Sequence, residues 1–139
     1  MSPENAMHAE WECVKVLTYF FNSLDDRRFA DLAACMTETG VWVRQGKPLE
    51  GRSAILSALA ERSSTVSTRH LISNPEVKFK DEVAEVAAVV TIFHHDDGNG
   101  TQPAPIAPPR AILRFTAVMT SSGANWQISQ LKSDRLFVH

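Results

Sequence analysis

The sequence predicts an α+β domain in which helices come first and a strongly curved, mainly antiparallel sheet follows. Over roughly the first 65 residues, apolar side chains recur at helical spacing with one short β-type run between them. From Thr68 onward the pattern changes to four long segments rich in β-branched and aromatic residues, separated by turn signals. Helices followed by sequential antiparallel strands is the α+β arrangement. At 139 residues the chain suits a single domain, 1–139. A folded chain of this size buries about 68% of its unfolded surface, enough for a core without disulfides.

Ser2-Pro3-Glu4 opens the first helix with a hydroxyl cap, a proline at the first position and an early acid. Met7, Trp11, Val14, Leu17, Phe21 and Leu24 form its apolar stripe, widened by Cys13, Val16 and Phe20. So broad a stripe suits a helix lying across a sheet. Asp25 and Asp26 interrupt the run, and either is a candidate cap for a short second helix with Phe29, Leu32, Ala33 and Met36 on its apolar face. Thr37 to Gly40 would end that helix. Val41-Trp42-Val43 reads as a short strand, Gln45 to Pro48 as a turn, and Gly51-Arg52-Ser53 as the opening of a third helix with Ser53 as a possible cap. The long strands are expected at Thr68–Lys80, Val83–His95, Arg110–Ser121 and Asn125–Val138, with turns between them and the last turn at Ser121 to Ala124. Asn74-Pro75 predicts a bulge or bend in the first, because proline donates no ladder hydrogen bond. The segments Val83–His95 and Arg110–Ser121 read as apolar on both faces, one toward the helices and the other toward a second subunit.

Composition excludes several classes. Fourteen basic and 16 acidic residues give a net charge of −2, which is not the footprint of a nucleic-acid binder. Cys13 and Cys35 match no metal or redox spacing and read as buried thiols. No basic segment precedes an apolar run at the N-terminus, and no stretch approaches the ~18 apolar residues of a membrane span. The expectation is a soluble, cytoplasmic protein with no membrane partner. His94-His95-Asp96-Asp97 invites a metal reading, but neighbouring strand residues point to opposite faces and no further ligand stands at a known spacing, so no metal is expected. Gly98-Asn99-Gly100 lacks the strand-before, helix-after context of a dinucleotide site.

Three local signatures carry a resemblance spanning nearly the whole chain: Tyr19 to Leu32, where the first helix ends on an acid and an aromatic starts the next; Leu49-Glu50-Gly51-Arg52-Ser53-Ala54-Ile55; and Thr68-Arg69-His70-Leu71-Ile72-Ser73-Asn74. The terminal strand Asn125-Trp126-Gln127-Ile128 fits as well. In order and spacing they resemble the nuclear-transport-factor-2-like superfamily, and within it the SnoaL-like, scytalone-dehydratase-like branch. The resemblance implies a cone-shaped half-open barrel, three N-terminal helices packed on the curved sheet, a pocket at the wide mouth and a homodimer through the sheet face. In the enzyme members, dehydratases and a dehydrochlorinase among them, an Asp and a His form a pocket dyad, and those positions match Asp25 and His70. Scytalone dehydratase has a tyrosine just before that Asp, where this chain has Leu24, and a second histidine on a later strand, where Arg110 and Ile112 stand. These departures argue against water elimination from a scytalone-like substrate.

An Asp–His pair is the chemistry of proton transfer. Imidazole titrates near neutrality, and a carboxylate can fix its tautomer and raise its basicity. Such a pair could take a proton from a carbon beside a carbonyl or beside a leaving group. The structural alternative is that Asp25 merely caps a helix and His70 is a half-buried strand residue. If Thr68, His70 and Ile72 face the interior, the imidazole meets an apolar pocket to which Phe21, Leu24 and Trp42 contribute; Trp11, Phe20, Phe93 and Phe115 are further aromatics that serve either pocket or core. Arg110 and Arg114, four apart on a strand, share a face, and Arg110 near the mouth is a candidate anchor for an anionic substrate group. Arg69 should point the other way, into a structural ion pair.

The sequence thus favours a small-molecule enzyme without cofactor: a dehydratase, isomerase or related lyase using Asp25 and His70 on a hydrophobic substrate of aromatic or polyketide-like kind. Arg110, Leu24, Trp42, Ile72 and Phe21 would bind that substrate. The alternative is a non-catalytic ligand-binding or assembly subunit of the same fold, like the β subunit of a ring-hydroxylating dioxygenase; fold alone does not decide between them.

Overall fold

A computed structural model describes residues 1–123 and 125–138. Its elements run α1 (Pro3–Asp25), α2 (Phe29–Ala34), β1 (Met36–Arg44), β2 (Lys47–Glu50), α3 (Gly51–Ala60), β3 (Ser67–Lys80), β4 (Val83–His95), β5 (Ala111–Ser122) and β6 (Asn125–Val138). Three helices pack on one curved, unclosed six-stranded sheet of order β2-β1-β6-β5-β4-β3. Every neighbouring pair is antiparallel except β1 and β6, which run parallel. Ala124, in the expected last turn, lies outside the described residues. Among the described residues no helix is long and apolar enough to cross a membrane.

Helix α1 begins as its sequence dictates: the Ser2 hydroxyl accepts a hydrogen bond from the Asn5 amide at 3.1 Å, and Pro3 needs no partner for a missing N–H. Its buried face is Ala9, Cys13, Leu17, Phe20, Phe21 and Leu24. Met7 and Trp11, expected on that stripe, are exposed instead, at 68% and 54%. In these first turns only Ala9 is buried, so the apolar spacing of Met7 and Trp11 faces solvent. The helix stops where Arg27 takes a left-handed conformation, φ 60°, and the Arg28 amide turns back to the Ser23 carbonyl at 2.8 Å.

Two sequence readings are corrected between α1 and α3. Met36 does not extend the second helix, and Thr37 to Gly40 is not its end; Met36 opens β1 and is fully buried against Ile128 of β6. Gly40 permits that parallel pairing, since a Cβ there would lie 3.0 Å from the Ile128 carbonyl oxygen. The turn expected at Gln45–Pro48 is confined to Gln45-Gly46, both at positive φ, the geometry of a two-residue hairpin. Lys47 and Pro48 belong to edge strand β2, where proline is tolerated. Helix α3 starts at Gly51 with Glu50 in the cap position, so Ser53 is not its cap.

The long strands fall close to their sequence bounds. In β3 the register against β4 shifts between Ser73 and Glu76, across Asn74-Pro75, with Asn74 at φ 53°. The core lies between α1 and the inner sheet face: Leu17, Leu32, Met36, Ile55, Leu59, Val86, Met119, Ile128 and Leu131 are fully buried. Both cysteines are buried; burial first, then the Glu12 charge, pushes the Cys13 thiol up to about 12, and Cys35 rises to about 11. The outer face is more mixed than its sequence suggests. Ala87, Val89, Ile112 and Val118 alternate with cross-strand neighbours Arg114 and Asp134, and Thr116 and Lys132.

Candidate active site

Asp25 is the last residue of α1, and its carboxyl faces the start of β3. There it is fully engaged. Oδ1 stands 2.7 Å from His70 Nδ1 and accepts the Thr68 hydroxyl at 2.8 Å, while Oδ2 accepts the His70 amide at 2.8 Å. The side chains are 3% and 8% exposed, so the pair works away from bulk water. The helix-cap alternative does not hold: α2 is capped by Arg28, with no side-chain bond.

The protonation state follows from these partners. Burial pushes the Asp25 carboxyl up, but the hydrogen bonds and charge from His70 and the Thr68 hydroxyl outweigh it and hold the carboxyl below its ordinary 3.8. An ionised carboxylate only accepts, so His70 Nδ1 donates. In the neutral ring this contact places the proton on Nδ1 and the lone pair on Nε2. Phe21 holds the ring in place, stacked on it at 5.0 Å between centroids and 19° between planes. Phe115 meets Phe21 edge-on at 4.8 Å, and Phe20 bridges Phe21 to Trp42.

His70 lines a cavity of about 1020 Å³. Phe21, Leu24, Trp42, Ile92, Leu113, Phe115 and Val138 supply its apolar wall. Of the residues expected to bind substrate, Phe21, Leu24, Trp42 and Arg110 line this cavity. Ile72 is not among its lining residues: it shares the inward face with His70 but sits one step deeper, packed against the core. Arg114 does not join Arg110 either; it is exposed on the outer face, opposite Val89 and Asp134. Arg69 points outward, with Nη1 3.6 Å from Asp26. Trp11 and Phe93 do not line the cavity, and Phe20 lies in the core behind it.

Several cavity residues escaped the sequence reading. Arg44 could have been found by parity, standing two residues beyond Trp42 on the same strand. Arg135 and Ser133 likewise follow Leu131 on one face of β6. Arg62 has no local signal: it follows α3 in a connector, and its Nη2 donates to the Thr68 hydroxyl at 2.8 Å. It thus continues a chain of bonds from Arg62 through Thr68 to Asp25 and His70. A second cavity of about 720 Å³ lies on the other side of Thr68, under the loop joining β4 to β5. Asp96 at the root of that loop accepts the Ser63 and Thr65 hydroxyls, which hold its carboxyl down to about 2. Among the described residues, no three His, Cys, Asp or Glu side chains gather to hold a metal ion.

The family model described as SnoaL-like domain matches residues 5–132. The chain belongs to the SnoaL-like domain family. No curated protein is matched by its sequence. Solved structures are similar to this SnoaL-like domain in fold. A scytalone dehydratase-like protein from Novosphingobium aromaticivorans superposes with TM-score 0.81 at 17% identity, covering 98% of this chain and 89% of that one. A type 2 hexachlorocyclohexane dehydrochlorinase, LinA, gives 0.78 at 12% identity, covering 98% and 90%. ActVI-ORFA of Streptomyces coelicolor gives 0.76 at 14% identity, covering 90% and 95%. At such identities the likeness shows the SnoaL-like domain's fold alone.

Proposed function

We propose that this SnoaL-like domain is a small-molecule lyase or isomerase in which His70 is the general base and Asp25 its orienting carboxylate. The observation that carries this reading is the 2.7 Å contact between Asp25 Oδ1 and His70 Nδ1, buried at the wall of a large, partly aromatic cavity. His70 Nε2 takes a proton from a carbon beside a carbonyl or beside a leaving group. In an elimination, the C–H electron pair becomes the new double bond as the leaving group departs with its own pair. In an isomerisation, the imidazolium returns the proton at another carbon. In either case Asp25 stabilises the imidazolium, and imidazole and carboxylate suffice for the proton movements. The apolar wall suits a hydrophobic substrate of aromatic or polyketide-like kind, in keeping with neighbours named for a dehydratase and a dehydrochlorinase.

The test is proton exchange. A panel of hydrophobic aryl ketones and β-hydroxy ketones in D₂O, followed by NMR, should show deuterium entering beside the carbonyl, or loss of water, with the wild-type chain only. Exchange unchanged in His70→Ala and Asp25→Asn would sink the assignment. The reading also carries a second copy docked on the outer sheet face, and light scattering at the monomer mass would remove that part alone.

A further inference from the structure

The charge of the cavity is unlike that of the chain. The chain carries −2 overall, yet Arg44, Arg62, Arg110 and Arg135 all line the cavity and none of its lining residues is Asp or Glu. Among the described residues, none of the four forms an ion pair. Arg44 is half-buried, with its guanidinium over the Trp42 ring at 5.5 Å. Arg62 spends Nη2 on Thr68 and keeps a buried Nε without a partner. An unpartnered buried donor and facing like charges both cost stability, and a bound anion relieves both. The positive field acts on neighbours too. Burial first, then Arg110 and Arg62, holds the imidazole of His94 at the rim below its ordinary value. Arg62 itself lies below its ordinary value, through burial and then repulsion by Arg44 and Arg27, which outweigh the attraction of Asp25.

Resting on the reading of this cavity as the active site, we propose that the substrate is an organic acid whose carboxylate is held by Arg44, Arg62, Arg110 and Arg135 while its hydrophobic body lies against Phe21 and Trp42. A planar carboxylate matches the guanidinium fork. A phosphate ester fits less well, since neither a lysine nor a glycine-rich turn at a helix N-terminus faces this cavity.

Three probes of one shape test this: 2-naphthoate, neutral 2-naphthamide and 2-naphthyl phosphate, titrated calorimetrically into the full chain. Naphthoate should bind about tenfold or more tightly than naphthamide, and added NaCl should weaken naphthoate alone. The preference should shrink in Arg110→Gln and Arg135→Gln, both exposed at the mouth and so safe for folding, and shrink further when Arg44→Gln is added, leaving what Arg62 alone supplies. Equal binding of acid and amide, no binding of naphthoate, a preference for the phosphate, or a preference undiminished in the triple variant would each overturn the proposal. Carboxylate preference without D₂O exchange on any substrate would leave an anion pocket and remove the acid–base reading; exchange without preference would do the reverse.

Discussion

The inner face of the sheet has two ends built on the same strands, separated by register shifts at Ser73/Glu76 and Val118/Met119, and they differ in every row. At the closed end Phe79, Ala84, Met119 and Ile128 stand side by side across β3, β4, β5 and β6. Toward the mouth the rows become Ile72, Val90, Leu113 and Arg135, then His70, Ile92, Ala111 and Val138. Strand parity alone keeps a side chain facing inward; what lies above it decides whether that position is core or site. Helix α1 buries Leu17 and Phe20 in the core and at its last residue delivers a carboxylate to His70.

Substitution can break this contrast in order of size. His70→Ala should lower turnover by about 10²–10⁴-fold while moving the denaturation midpoint less than any closed-end truncation; comparable losses in both readouts would mean that the open end is merely core. Ile128→Ala, at the fully buried end, should cost about 2–5 kcal/mol in urea unfolding. A cost under about 1 kcal/mol would place a void where dense packing is described.

Acid separates the ends differently. A carboxyl held below 3.8 when folded binds fewer protons in the folded chain than in the unfolded one. Its stabilisation is therefore present above pH 3.8 and is lost as pH falls through the lower, folded value. The wild-type chain should lose stability over that window, and Asp25→Asn should flatten this part of the curve in pH-dependent urea melts. Identical acid limbs would show that the pair contributes nothing to the fold. The smallest effect is expected at Trp11→Ser, on the exposed side of α1: within about 0.5 kcal/mol of wild type by the same melts.

The four long strands were legible because their signals are local: alternation, β-branching and turn residues need no distant partner. Strand β1 was read short because its first residues gain their conformation from Ile128, far along the chain. Helix periodicity at Met7 and Trp11 was real but had no surface to serve. The dyad partners are 45 residues apart, and no spacing rule joins them. Family resemblance proposed the pair, and the end of α1 against the start of β3 brings its members into contact. The arginines were harder: Arg44 and Arg135 follow from parity once the strands are known, whereas Arg62 enters only through its bond to Thr68.

The parallel pairing of β1 with β6 imposes an order of assembly. Strands β1 and β2 join the rest of the sheet only through β6, which is the last strand in sequence. During synthesis the first hairpin must wait for the final segment to emerge before the sheet can be completed. Two walls of the cavity wait with it, since Trp42 and Arg44 come from β1 and Ser133 and Arg135 from β6. A contact spanning most of the chain favours slow folding. A nascent chain halted before β6 would therefore hold Asp25 and His70 and still lack the far wall that makes a pocket of them.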